Sequence, residues 1–148
     1  MKGHLMPITT AMCNSFKQEL LGGVHDLDTD VIKVALISDT HTGTYGAATT
    51  EYADVSAEES SGAGYTTDDK IVGGATIVLD GSTAYVDFAN KIFSAATVAA
   101  DGCLLYNSSK NNRAIAVFSF GGTVSSSNGD FTIVFPTDNA TSAVIRIS

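Results

Sequence analysis

Carboxylates at alternate positions are the first chemistry this sequence offers. In "HDLDTD", residues 25–30, Asp26, Asp28 and Asp30 have the spacing with which a calcium-binding loop begins its ligand set. The remainder of such a loop is missing: no glycine follows at the sharp turn, and Ile37 stands where the closing glutamate would be. The three acids are therefore expected to form a solvated lead-in to the strand that follows. His4, His25 and His41 share no metal-ligand spacing such as HxxxH and are expected at the surface. Asp68 and Asp69 are adjacent, and neighbouring side chains of an extended chain point to opposite faces, so they do not converge as a general acid and base. Cys13 and Cys103 are far apart, with no CxxC and no Cys/His cluster, and read as reduced, buried thiols. No nucleotide-binding glycine loop and no GxSxG element occurs. The titratable groups do not gather, so the expectation is a protein without catalytic residues, cofactor or bound metal.

The elements that would position these residues are mostly strands. The chain has 148 residues, one domain's worth, and can bury roughly 70% of its unfolded surface. It is 44% hydrophobic and only 16% charged, with Ser, Thr, Gly and Ala making up much of the remainder, a profile of ordered β-structure and not of disorder. Net charge is −8, and the clustered Lys/Arg needed to follow a nucleic-acid backbone are absent, so no nucleic-acid partner is expected. No run approaches the ~18 apolar residues of a membrane span, and the start does not read as a signal peptide. Met6 is a candidate second start.

Residues 1–14, with Pro7 among them, have no usable period and read as an extended arm ahead of a single β-domain at 15–148. "SFKQELL" (15–21) is the one helix candidate, with Ser15 as N-cap, Gln18 three residues on, and Gly22–Gly23 ending it. Strand signals follow in "VIKVALIS" (31–38), "ATIVLD" (75–80), "TAYVDFAN" (83–90), "GCLLYN", "RAIAVFSF", "DFTIVFP" and "SAVIRIS". Gly81 and Ser82 lie between the second and third as a tight hairpin would require. Seven or eight short strands of this kind predict an all-β fold: an antiparallel β-sandwich or jelly-roll-like domain with an extended N-terminal arm and one short N-terminal helix.

Residues 39–70 stand apart. They are rich in Thr, Ser, Gly, Ala and acids, and they are long for a connection in a compact domain. This segment is the leading candidate for a protein-contact surface, with Glu58 and Glu59 as its contact residues. Its tyrosines, Tyr45, Tyr52 and Tyr65, could instead anchor the loop by packing, or serve a carbohydrate- or host-binding sandwich as a platform. Lys110 and Arg113 form a basic tip between two apolar runs, more simply a solvated hairpin end than an anion site. Pro7, Ile8, Thr9 and Thr10 in the arm are further contact candidates.

Several blocks occur in a telling order: "MPITTAMCNSFKQELLGGVHDLDTDVIKVALIS", "EYADVSAEESSGAGYTTDDK", "GCLLYNSSKNNRAIAVFSFGG" and "NGDFTIVFPTDNATSAVIRI". In that order they resemble a family of small tailed-phage virion proteins over nearly the whole chain from Met6. "DDK" stands where the family usually has a glycine pair. The resemblance implies a structural protein of the particle, first of all a capsid decoration (cement) protein on the outside of the head. Such proteins bind the major capsid protein, and they often do so as homo-oligomers, commonly trimers. A tail or fibre subunit is the alternative that it implies.

Overall fold

The computed structural model describes residues 7–66 and 69–148. Within them the chain forms an all-β domain of two antiparallel sheets. Strand β1 (Ala11–Met12) leads into helix α1 (Asn14–Leu21); β2 (Ile32–Ser38) and a single helical turn, α2 (Ala53–Ser56), follow. A hairpin of β3 (Thr76–Asp80) and β4 (Thr83–Asp87) precedes the two longest strands, β5 (Lys91–Asn107) and β6 (Arg113–Ile133), and β7 (Ile145–Ile147) is last. The large sheet runs β1-β6-β5-β2 and the small one β3-β4-β7.

The hydrophobic pattern explains most of this. β2 reads as an apolar run interrupted only by Lys33 because nearly all of it is buried, although it is the last strand of its sheet. Its outer edge is closed by the segment that follows α2. Ser38 and Val34 donate backbone hydrogen bonds to Glu58 and Lys70, and Ser60 and Val72 donate back to Leu36 and Ile32. Phe131, Ile133 and Phe135 are buried and Thr132 and Val134 exposed, the alternation expected of "DFTIVFP". The Gly81–Ser82 turn joins β3 to β4 with Asp80 opposite Thr83, as the two-residue spacing predicts.

Two expectations are corrected. The helix is capped at Cys13, whose side chain makes no capping bond, and not at Ser15; Ser15 lies within the helix, its Oγ buried without a partner. Cys13 is drawn into the core and its amide bonds Ile115, which sets the cap two residues earlier. At the other end Gly22 and Gly23 close the helix as expected: Gly22 is the C-cap, Gly23 adopts φ 70°, and the Gly23 and Val24 amides bond the Leu20 and Glu19 carbonyls. Finally, "GCLLYN" and "DFTIVFP" are not separate short strands. They are the ends of one long β5–β6 hairpin that also takes in residues 91–101, where no strand is expected from the pattern. Ser, Ala and Gly dilute the pattern there. The β5–β6 register breaks around Gly121, whose φ of 76° suits a glycine.

Candidate protein-contact surface

The 39–70 segment turns two of its carboxylates, Glu58 and Glu59, onto its own residues. Glu58 accepts hydrogen bonds from the Thr42 amide (2.6 Å), the Thr42 hydroxyl (2.7 Å), the Gly43 amide (2.9 Å) and the Tyr45 hydroxyl. The Tyr45 hydroxyl leads in holding the Glu58 carboxyl down to a pKa of about 2, with the Thr42 hydroxyl next. Burial, and then the bond to Glu58, pushes the Tyr45 hydroxyl pKa upward. Glu59, one residue on, points the other way along the backbone and accepts from the Tyr52 and Tyr65 hydroxyls and from Lys70 Nζ. Lys70 is 2% exposed and lies 4.7 Å above the Tyr52 ring centroid, so it is a buried cation enclosed by one carboxylate and aromatic faces. Tyr65 also accepts the Leu36 amide of β2 and stands edge-on to Phe93 of β5.

The two tyrosine–glutamate clamps pin the segment to β2 and β5. Further along, the Ser60 hydroxyl bonds the Ala99 carbonyl and the Thr97 amide bonds Ala63. The three tyrosines are thus packing anchors, and Tyr45 and Tyr65 are buried. They do not present an aromatic platform. Beside them runs a polar cleft of about 610 Å³, bordered by Ser38, His41, Glu58, Ser60, Thr97 and Ser126.

The basic tip is neutralised within the chain. Arg113 donates to Glu19 Oε1 at 2.7 Å, and Lys110 Nζ lies 3.4 Å from Asp30 Oδ1. Between these pairs Glu19 Oε2 is 2.7 Å from His25 Nε2, His25 Nδ1 is 3.0 Å from the Asn107 side-chain nitrogen, and that nitrogen donates to Asp30 Oδ2 at 2.7 Å. The Asn107 carbonyl oxygen accepts the Ser109 amide, which fixes the orientation of the side chain. His25 Nδ1 therefore accepts and Nε2–H donates to Glu19. One polar chain, Arg113–Glu19–His25–Asn107–Asp30–Lys110, ties α1, the 25–30 turn and the hairpin end together.

This revises the reading of "HDLDTD". Asp26 and Asp28 are exposed, with Asp26 accepting the Asp28 amide, but Asp30 is held inside the network. Burial opposes its charge, yet the Asn107 amide, the Asp26 backbone and Lys110 outweigh it and the Asp30 pKa is lowered. His25 and His41 are likewise buried and not at the surface; His41 bonds the Gly43 carbonyl through Nδ1 and lies 3.6 Å from Asp101. A partner within the same chain outweighs the usual preference of these side chains for water. His4 and Asp68 lie outside the described residues. Cys13 and Cys103 are free and fully buried, and burial pushes both thiols up to about 12. Among the described residues no three His, Cys, Asp or Glu side chains come together as a metal site, and no helix is long and apolar enough to cross a membrane.

The arm is extended from Pro7 onward and lies on its own domain. Thr9 donates to the Tyr45 carbonyl, Tyr45 to that of Pro7, and the Thr10 hydroxyl accepts the Ser119 amide. Ala11 and Met12 then pair with Val117 and Ala116 as β1. Pro7, Thr9 and Thr10 keep exposed side chains, while Ile8 is half-buried beside Gly102.

A surface that the sequence reading did not single out lies on the small sheet. Register places Ile77 and Leu79 of β3, Ala84 and Val86 of β4, and Ile145 and Ile147 of β7 on one face. Val86 and Ile145 are buried and, with Leu20 and Leu27, border an apolar groove. Ile77 (56% exposed), Leu79 (74%) and Ile147 (57%) are not covered, and Leu21 at the end of α1 is exposed too. The alternation in "ATIVLD" could have marked this face, since it is as apolar as any core face, but alternation alone does not say which face is covered. Comparisons with protein-family models, curated proteins and solved structures find no match for the chain.

Proposed function

We propose that this protein is a structural subunit of a tailed-phage particle, and within that class a capsid decoration (cement) protein. It would sit on the outside of the head as a homo-oligomer, a trimer, and hold neighbouring major capsid subunits together, with no catalytic step and no cofactor. The ordered sequence blocks supply the class. The structural observation that supports it is the way polar and apolar groups are spent: the acidic and basic side chains nominated for contact, Glu58, Glu59, Lys110 and Arg113, are consumed by internal pairing, while large apolar side chains are left uncovered on a sheet face. Apolar surface of this kind marks binding to other proteins. Pro7, Thr9 and Thr10 lead into β1 with exposed side chains and add an extended segment that can lie against a capsid subunit.

Antibody labelling or a reconstruction of the particle tests the reading. Copies on the head, at positions bridging capsid subunits, are the expected result. Copies along the tail would replace it with the tail or fibre subunit, and absence from purified particles would overturn it.

A further inference from the structure

We infer that copies of this chain join edge to edge, with β3 of one copy pairing with β7 of the next, so that the small sheets fuse into one continuous sheet. The inference rests on the homo-oligomeric part of the proposed function and names the surface that part requires.

The argument begins with the edges. A free strand edge is a template for another chain, and soluble proteins usually cover it, shorten it or place charge in it. The large sheet covers its β2 edge with backbone bonds made by Glu58, Ser60, Lys70 and Val72. The small sheet ends in β3 on one side and β7 on the other, and among the described residues no backbone hydrogen bond closes either outer edge. β3 reads Thr-Ile-Val-Leu-Asp, with no proline and no charge before its last residue. Its Ile77 and Leu79 are exposed, as is Ile147 at the other edge.

Charge then selects the occupant. Asp80 and Arg146 both lie on the sheet face opposite the isoleucines and leucine, because Asp80 shares its side with Val78, and Val78 and Arg146 both sit across from Tyr85. Both are exposed, and no ion pair of either occurs among the described residues. One edge ends in an acid and the other carries a base, at matching parity. Setting Arg146 beside Asp80 of the next copy places Ile145 beside that copy's Leu79 on the apolar face. Self-pairing of two β3 edges would leave Arg146 without this use.

Symmetry fixes the direction. β3 and β7 each run antiparallel to β4 and so run parallel to each other. A rotation of one third of a turn cannot reverse a strand. In a trimer the junction must therefore be parallel, which is what these two edges supply when the same rotation is repeated head to tail.

Sedimentation of the full chain over a range of concentrations tests this, with near-ultraviolet dichroism to confirm folding. The wild type is expected to form a closed oligomer. Leu79→Lys should weaken it roughly tenfold or more, since it puts a charge where a leucine is buried on association. Asp80→Arg and Arg146→Asp should each weaken it by bringing like charges together, and the double variant Asp80→Arg/Arg146→Asp should recover most of the loss, because the pair is restored between copies. A wild-type oligomer indifferent to all of these overturns the edge pairing and leaves a homo-oligomer standing. A dimer weakened by Asp80→Arg but not by Arg146→Asp assigns the contact to two β3 edges and also overturns it. A monomer at every concentration overturns this inference and the homo-oligomeric reading together, whatever particle labelling shows.

Discussion

The 39–70 segment and the small sheet exchange the roles their compositions suggest. The segment is rich in hydroxyls and acids and resembles a solvated surface loop, yet it turns Glu58, Glu59, three tyrosine hydroxyls and Lys70 inward and seals the edge of β2. The β3–β4 hairpin has one face that is apolar throughout and resembles core, yet it leaves Ile77 and Leu79 in water. A charge is buried when its partner is folded in with it, and an apolar residue stays outside when no element of its own chain reaches it. Composition reports neither condition.

The sharpest way to break the comparison is to remove the carboxylate at the centre of the segment. Glu59→Ala leaves Lys70 as a buried, unpaired cation and strips Tyr52 and Tyr65 of their acceptor. We expect a loss of about 3–5 kcal/mol, read from denaturant unfolding. A change below about 1 kcal/mol would show that the clamp is solvated and that the segment is surface after all.

Asn107→Ala tests the second internal network. Asn107 is fully buried and serves His25, Asp30 and the Ser109 amide at once. Its removal should cost about 1–3 kcal/mol, the penalty for buried groups left without a partner. Lys110→Ala should cost far less, because its ammonium is partly exposed. Equal losses for the two variants would mean that the charge and not the buried amide holds the hairpin end.

Acid gives a graded test of the other clamp. The Glu58 carboxyl has its pKa lowered from 4.5 to about 2, chiefly by the Tyr45 hydroxyl. Its contribution is therefore complete above about pH 4.5 and is lost as pH falls toward 2. Glu58→Gln should flatten this part of the stability curve, measured by thermal unfolding between pH 5 and 2, relative to wild type. An unchanged acid limb would remove Glu58 from the account.

Much of the fold was legible because local pattern and tertiary structure agree. The continuous β2 run, the Gly81–Ser82 turn and the alternation of Phe131, Ile133 and Phe135 each describe a strand and its buried side. The sandwich-like all-β class follows from them. Residues 94–101 were not legible, because Ser and Ala there carry no contrast between faces and the strand persists by pairing with β6. The partners that Lys110 and Arg113 find within the chain were hidden for a related reason. Glu19 and Arg113 are 94 positions apart, and nothing in either local sequence announces the other. His25 and Asp30 were set in water for want of a visible partner, and that partner, Asn107, arrives from the far end of β5.

The smallest effect tests the small sheet. Leu79 is 74% exposed, so Leu79→Ser removes almost no buried surface within the chain and should change its unfolding free energy by no more than about 0.5 kcal/mol in dilute solution. The same substitution at a position covered by its own domain, such as Leu104, should cost several kcal/mol, about 2–5 for the loss of a leucine side chain. The contrast becomes informative when protein concentration is raised. If Leu79 is covered by another chain, the stability difference between wild type and Leu79→Ser must grow with concentration, because association stabilises only the folded state that can make the contact. A difference that stays constant across a hundredfold range would leave Leu79 an ordinary exposed leucine, and the two regions would then differ only in how well each is covered by its own chain.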